Sequence, residues 1–188
     1  MKEVTKFLYE VGQLKFVKRS GWWVAGVKDP ETVAEHSHRV ALLGHILAKM
    51  ENIDSDKVMK MCMIHDLPEA RLNDLHKVGH RYIDFKEKEK IVFREQIERL
   101  PEIIKEDYLK VHEEYYAQKT KESLIAKDAD LLECALQAKE YLAIGYKDAQ
   151  DWLNNIDKVL KTKAGRKLFK EIRNMNPNEW WQGLKKIR

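Results

Sequence analysis

Cysteine is scarce in this sequence: Cys62 and Cys134 are the only two in 188 residues. They form no CxxC pair, and both lie in apolar segments with helical spacing. That excludes a disulfide framework and points to a reducing compartment. Proline (4) and glycine (8) are also few, and no low-complexity linker or internal repeat interrupts the chain. No apolar run approaches membrane-spanning length. The opening MKEVTKFLYEVGQLKF breaks up its apolar residues with Lys and Glu, as an amphipathic helix does and a signal peptide does not. A cytoplasmic protein with no membrane contact is therefore expected. Neither sign of charge dominates, since 35 Lys and Arg face 31 Asp and Glu for a net +4. This mild bias suits a phosphorylated small molecule and is too weak to argue for nucleic-acid binding.

Strand patterning is missing as well. Apolar residues recur at three and four instead, as in Val4, Phe7, Leu8, Val11 and Leu14, and again in Val40, Leu43, Leu47 and Met50. Asp54 or Ser55 is a candidate N-cap before Val58, Met61, Met63 and Ile64. Later segments, from FKEKEKIVFREQIERL to KAGRKLFKEIRNM, follow the same rule, and Gly145 and Pro177 punctuate them. With 44% apolar and 35% charged residues, the chain reads as an all-α bundle of about six to eight helices. Residues 1–188 are expected to form one domain, with C-terminal helices in 146–188.

One stretch does not read as plain core. MCMIHDLPEARLND (61–74) starts as an apolar helix, then sets His65 beside Asp66 ahead of Pro68, Glu69 and Asp74. A residue before proline avoids the α region, so Leu67 should leave the helix and His65-Asp66 should sit in its last turn. Carbonyls there favour a nearby cation. Two further donors stand out: His36 in VAEHSHRV, and Asp130 inside the apolar helix IAKDADLLECALQA. Asp130 caps, pairs with Lys127 or Arg39, or binds metal. Two imidazoles with two carboxylates suit Mn, Co, Fe or Zn with water completing the shell. A divalent ion makes a nucleophile available near neutral pH, and an arginine suits phosphate. Glu69 and Asp74 could divide the proton transfers between them, and their spacing leaves that division open.

Taken in order, RSGW (19–22), PETVAEHS (30–37), HDLPEARLND (65–74) and KDAD (127–130) resemble the HD-domain superfamily of metal-dependent phosphohydrolases, and within it the 5′-deoxynucleotidase branch. The resemblance spans about residues 10 to 145. It implies an HD-domain helical bundle whose His36, His65, Asp66 and Asp130 hold one divalent ion, Mn, Co or Mg foremost, with Zn, Fe and Ni as alternatives. It implies that Glu69 orients or deprotonates the attacking water and that Asp74 acts beside the leaving oxygen or sugar. Arg19 would grip the phosphate and Trp22 would pack against the deoxyribose. Because Ser20 and Gly21 separate Arg19 from Trp22, Trp23 is a rival for that last place. The implied reaction is hydrolysis of 2′-deoxyribonucleoside 5′-monophosphates, and the resemblance also implies a homodimer. Alternatives are a cyclic-nucleotide or oligonucleotide phosphodiesterase, a dNTP triphosphohydrolase, and a metal-containing nucleotide-binding regulator.

Other notable residues read as structure. His38, His45, His76, His80 and His112 lie outside the matched pattern. FKEKEK is a solvated helix face, and Met59, Met61 and Met63 read as core or interface filler. Trp180 and Trp181 are expected to staple the tail to the core or to form a subunit contact.

Overall fold

A computed structural model describes residues 1–184. The helices are α1 (Lys2–Val11), α2 (Gly21–Val24), α3 (Val33–Glu51), α4 (Ser55–Ile64), α5 (Glu69–Leu72), α6 (Lys77–His80), α7 (Phe85–Ile97), α8 (Glu102–Ala117), α9 (Lys121–Ala143), α10 (Gln150–Ile156) and α11 (Lys163–Asn174). The all-α expectation holds: among the described residues no strand forms, and the β-type pairing is one isolated bridge, Lys18 to Thr32. The helices outnumber the six to eight expected because α2, α5 and α6 span four residues each. One turn is too short to display a 3.6-residue period. No described helix is long and apolar enough to cross a membrane.

The long helices start and stop where local chemistry dictates. Thr32 is in extended backbone, and its hydroxyl accepts from the Glu35 N–H while Glu35 accepts from the Thr32 N–H. This capping box satisfies two of the four orphan donors that open α3. Asn52, left-handed at φ 57°, ends the same helix. Asp54 caps α4 by accepting from the Lys57 N–H at 3.0 Å, as expected. Gly145, at φ 106°, follows the end of α9.

At the centre α9 packs against α3, α4, α8, α10 and α11, while α3 also packs along α4. Small residues allow this crowding: Ala126, Ala129, Ala135 and Ala138 of α9 are fully buried. Val40, Leu43 and Leu47 of α3 and Val58, Met61 and Ile64 of α4 fill the space between them. Each such side chain contributes about 1.5–3 kcal/mol on burial. Three residues of the helically spaced apolar series, Leu8, Met50 and Met63, are exposed instead. In the tail Trp180 is exposed and the Trp181 indole donates to Asn178 at 3.3 Å. The rest of the expected tail element, residues 185–188, lies outside the described residues.

Candidate metal centre

Four of the residues singled out in the sequence converge where α3, the end of α4 and α9 meet. His36 closes the first turn of α3, and His65 is the C-cap of α4 with Asp66 immediately after it. The pair therefore sits just past the last turn, which Leu67 and Pro68 leave to begin α5. Asp130 projects from the middle of α9. Asp130 Oδ1 lies 3.2 Å from His36 Nε2 and 3.8 Å from His65 Nε2. Asp66 Oδ2 lies 3.6 Å and 3.2 Å from the same two nitrogens.

The tautomers follow from the other side of each ring. His65 Nδ1 is 2.7 Å from the Cys62 carbonyl, which can only accept, so Nδ1 carries the hydrogen. His36 Nδ1 meets the Glu133 carboxylate in the same sense. Both Nε2 atoms are buried and lack a hydrogen-bond partner, although carboxylate oxygens stand close by. Orphaned buried nitrogens are rare, and an N₂O₂ set aimed at one point fits a divalent ion.

The electrostatics agree. Burial alone would hold the His65 pKa down, but Asp66 and Asp130 outweigh it and lift the imidazole to about 10. Burial works the other way on Asp130, where Lys127 and the two histidines overcome it and hold the carboxyl well below its ordinary range. Lys127 makes the closest cationic contact, 2.7 Å from Asp130 Oδ2. Without an ion, protonated histidines supply the positive charge that two buried aspartates require.

The remaining expected residues surround this cluster unequally. Glu69, at the start of α5, is 4% exposed and its Oε2 has no partner. Burial and the Asp66 charge raise its pKa well above the carboxylate range. Asp74 is occupied by the Arg19 loop, accepting from the Ser20 N–H at 2.5 Å with Arg19 Nη1 at 3.5 Å. Arg19 also reaches Asp66 Oδ2 at 3.3 Å and Cys134 Sγ at 3.4 Å, so its guanidinium forms one wall of the cluster. Trp22 does not present an open platform for a sugar. It is 2% exposed, stacked on Trp152 at 4.7 Å and set edge-on to Tyr141, with its indole N–H donating to Glu31. Its rival Trp23 is half exposed.

Sequence reasoning missed several neighbours. Glu133 is fully buried behind His36, and Arg39 pairs with it rather than with Asp130. The signal was available: a carboxylate in LLECALQA is as anomalous as Asp130 in the run before it. Glu31, beside Trp22, has a pKa pushed to about 7 by burial and by Glu133. Glu89 of α7 accepts from the Tyr116 hydroxyl, and burial with the Asp66 charge pushes it to about 7 as well. No periodicity marks Glu89 apart from its solvated neighbours in FKEKEK.

The sequence model of the HD domain matches residues 11–173. A Dictyostelium discoideum protein named 5′-deoxynucleotidase HDDC2 is 36% identical over 151 residues, which cover 75% of this chain and 78% of that one. A solved Pyrococcus furiosus structure, titled a conserved hypothetical protein, superposes with a TM-score of 0.77 at 31% identity, covering 91% of this chain and 99% of that one. The cyanophage S-2L HD phosphohydrolase DatZ, solved with dA and one catalytic Zn2+ ion, shares the fold at a TM-score of 0.59 and 20% identity, covering 88% and 94%.

Proposed function

From the premise that this chain belongs to the HD domain family, we propose that it is a divalent-metal-dependent 5′-deoxynucleotidase, hydrolysing 2′-deoxyribonucleoside 5′-monophosphates to deoxynucleoside and phosphate. The observation that carries the hydrolase reading is the convergence of two buried, unpartnered Nε2 atoms with two carboxylates, beside a buried carboxyl whose own oxygen is free. The substrate class rests on the named relative that shares 36% identity over three quarters of this chain.

In this reading His36, His65, Asp66 and Asp130 hold one ion of the Mn, Co or Mg class, with Zn, Fe and Ni as alternatives. The bound ion supplies Lewis acidity and a nucleophile at neutral pH. The chain's own residues do the rest. Glu69, buried beside the cluster with its Oε2 free, is placed to take the proton from water once a bound cation favours its carboxylate form. Arg19 turns its planar guanidinium from Asp66 and Asp74 to the phosphate when substrate arrives. Asp74, released by Arg19, lies beside the leaving oxygen or sugar. Trp22 acts through shape, holding the Arg19 loop against Tyr141 and Trp152. A cytoplasmic homodimer belongs to the same proposal, with the family resemblance as its support.

The test is phosphate release from a panel of dNMPs, NMPs, dNTPs and cyclic dinucleotides, with Co, Mn, Mg or Zn added to stripped protein. Release confined to dNMPs, and lost in His65→Ala, is the expected outcome. Turnover of ribonucleotides or diesters would keep the centre and discard the substrate. No release with any ion would overturn the enzyme.

A further inference from the structure

Glu133 is a fully buried carboxylate that the reaction above does not use. Such a group costs several kcal/mol unless both oxygens are satisfied by charge or hydrogen bonds. Both are satisfied, by different partners. Oε2 accepts from His36 Nδ1, and Oε1 accepts from Arg39 Nε at 2.8 Å. Arg39 is held in turn by Glu140 at 2.7 Å and Gln137 at 2.9 Å, so one guanidinium spans three side chains on the same face of α9. His36 and Arg39 stand three residues apart on α3 and share a face. The result is a chain of contacts running from a partly solvated arginine, through a buried glutamate, to the imidazole of the candidate centre.

Proximity alone would also allow an ion on the far side of His36. Glu31, His36 and Glu133 lie close enough together to hold one, as do His36, His65 and Asp66. The two cannot both use His36 at once in the observed tautomer, because Nδ1 is spent on Glu133 while Nε2 points the other way, toward Asp66 and Asp130. Arg39 makes the Nδ1 side poor for a cation, since its charge already neutralises Glu133.

Resting on the metal-centre reading above, we propose that Arg39 and Glu133 are positioning residues that fix the His36 tautomer and strengthen its Nε2 as an ion donor. The two histidines then differ in kind. His65 is oriented by a neutral backbone carbonyl, Cys62, whereas His36 is oriented by an anion. A carboxylate behind an imidazole raises its basicity, and losing such a partner typically weakens ion affinity by about 10–100-fold. Glu133→Gln keeps the shape and removes the charge. Its amide has an oxygen that can still accept from Nδ1 or an NH₂ that would force the opposite tautomer, and Arg39 favours the oxygen on its own side.

The experiment measures Co2+ and Mn2+ affinity by chelator competition, with the visible d–d spectrum of the Co2+ form, for the wild type, Glu133→Gln, Arg39→Gln and His65→Ala. Expected is a loss of about 10–100-fold for Glu133→Gln, a smaller loss for Arg39→Gln, and an altered Co2+ spectrum in both with circular dichroism unchanged. Arg39 is one-third exposed, so its variant tests the idea even if Glu133→Gln folds poorly. Affinity within about twofold of wild type in both variants would overturn the positioning role and leave the centre intact. Full ion retention by His65→Ala would place the ion on the Nδ1 side and overturn the assignment of Glu133 as a positioning residue. A wild type that binds neither ion would overturn the metal reading itself.

Discussion

Asp128 and Asp130 stand two positions apart on α9 and do unrelated work. Side chains two apart on a helix point about 200° from each other, so one faces the cluster and the other faces α11. Asp128 accepts from the N–H groups of Lys161 and Thr162 and from the Thr162 hydroxyl, all within 3.2 Å. It anchors the start of α11, whereas Asp130 meets two histidines. Glu69 is the residue whose chemistry can be separated from the ion's. It is buried, its Oε2 is unpartnered, and burial next to Asp66 raises its proton affinity. Glu69→Gln is expected to lower phosphate release by about 10²–10⁴-fold while bound ion, measured by elemental analysis, stays at the wild-type level. Activity near wild type would assign the proton transfer elsewhere, with Asp74 next. His65, Asp66 and Asp130 were legible in the sequence as candidates because polar groups broke an apolar pattern, whereas Glu69 stood out only by its place after His65-Asp66 and Pro68. Glu133 breaks the same pattern, but nothing in the sequence pairs it with Arg39, 94 residues away.

At the scale of elements, the spacing of donors depends on how closely α3 approaches α4 and α9. Gly44 sits at that junction. A Cβ there would stand 2.5 Å from Cys62 Sγ and 3.1 Å from Val58 Cγ1, with Ala129 Cβ at 3.7 Å. His36 lies two turns before Gly44 on α3, and Cys62 supplies the carbonyl that orients His65. Gly44→Ala gains helix propensity of about 1 kcal/mol but overpacks a buried contact, which costs about 1–3 kcal/mol. A net loss of stability in urea is expected, together with weaker ion binding as Cys62 is pushed. A gain in stability would show that Cys62 can swing aside and that the junction is not tight. The long helices could be read from periodicity and caps, down to Asp54 before α4. The four-residue helices could not, because a single turn is too short to display a repeating pattern. A core place for Trp22 or Trp23 was as open in the sequence as a substrate contact, because the choice depends on Trp152 and Tyr141 arriving from other helices.

For the molecule as a whole, the proposed centre draws on α3, the end of α4 and α9, with Arg19 from the loop before α2 and Glu69 from α5. These donors come from segments that an unfolded chain scatters, so a divalent ion should bind the native state far better than the denatured one. Such a ligand stabilises by about 2.7 kcal/mol when present at a hundred times its dissociation constant. In a chain of this size 1 kcal/mol moves the melting temperature by about 2–4 °C, so a rise of roughly 5–11 °C is expected on adding Mn or Co to stripped protein. The ion would also have to displace protons from His36 and His65, because Glu133 with Asp130 holds the first imidazole pKa up in its absence, and Asp66 with Asp130 the second. Ion binding therefore weakens as pH falls, and the thermal shift should shrink between pH 8 and pH 6. Asp130→Asn keeps the volume of the side chain but removes an anionic donor facing both Nε2 atoms. Its melting temperature should respond little to either ion. A shift equal to the wild type's would mean that the ion is held without Asp130, and that the pairing with Lys127 is this aspartate's whole function.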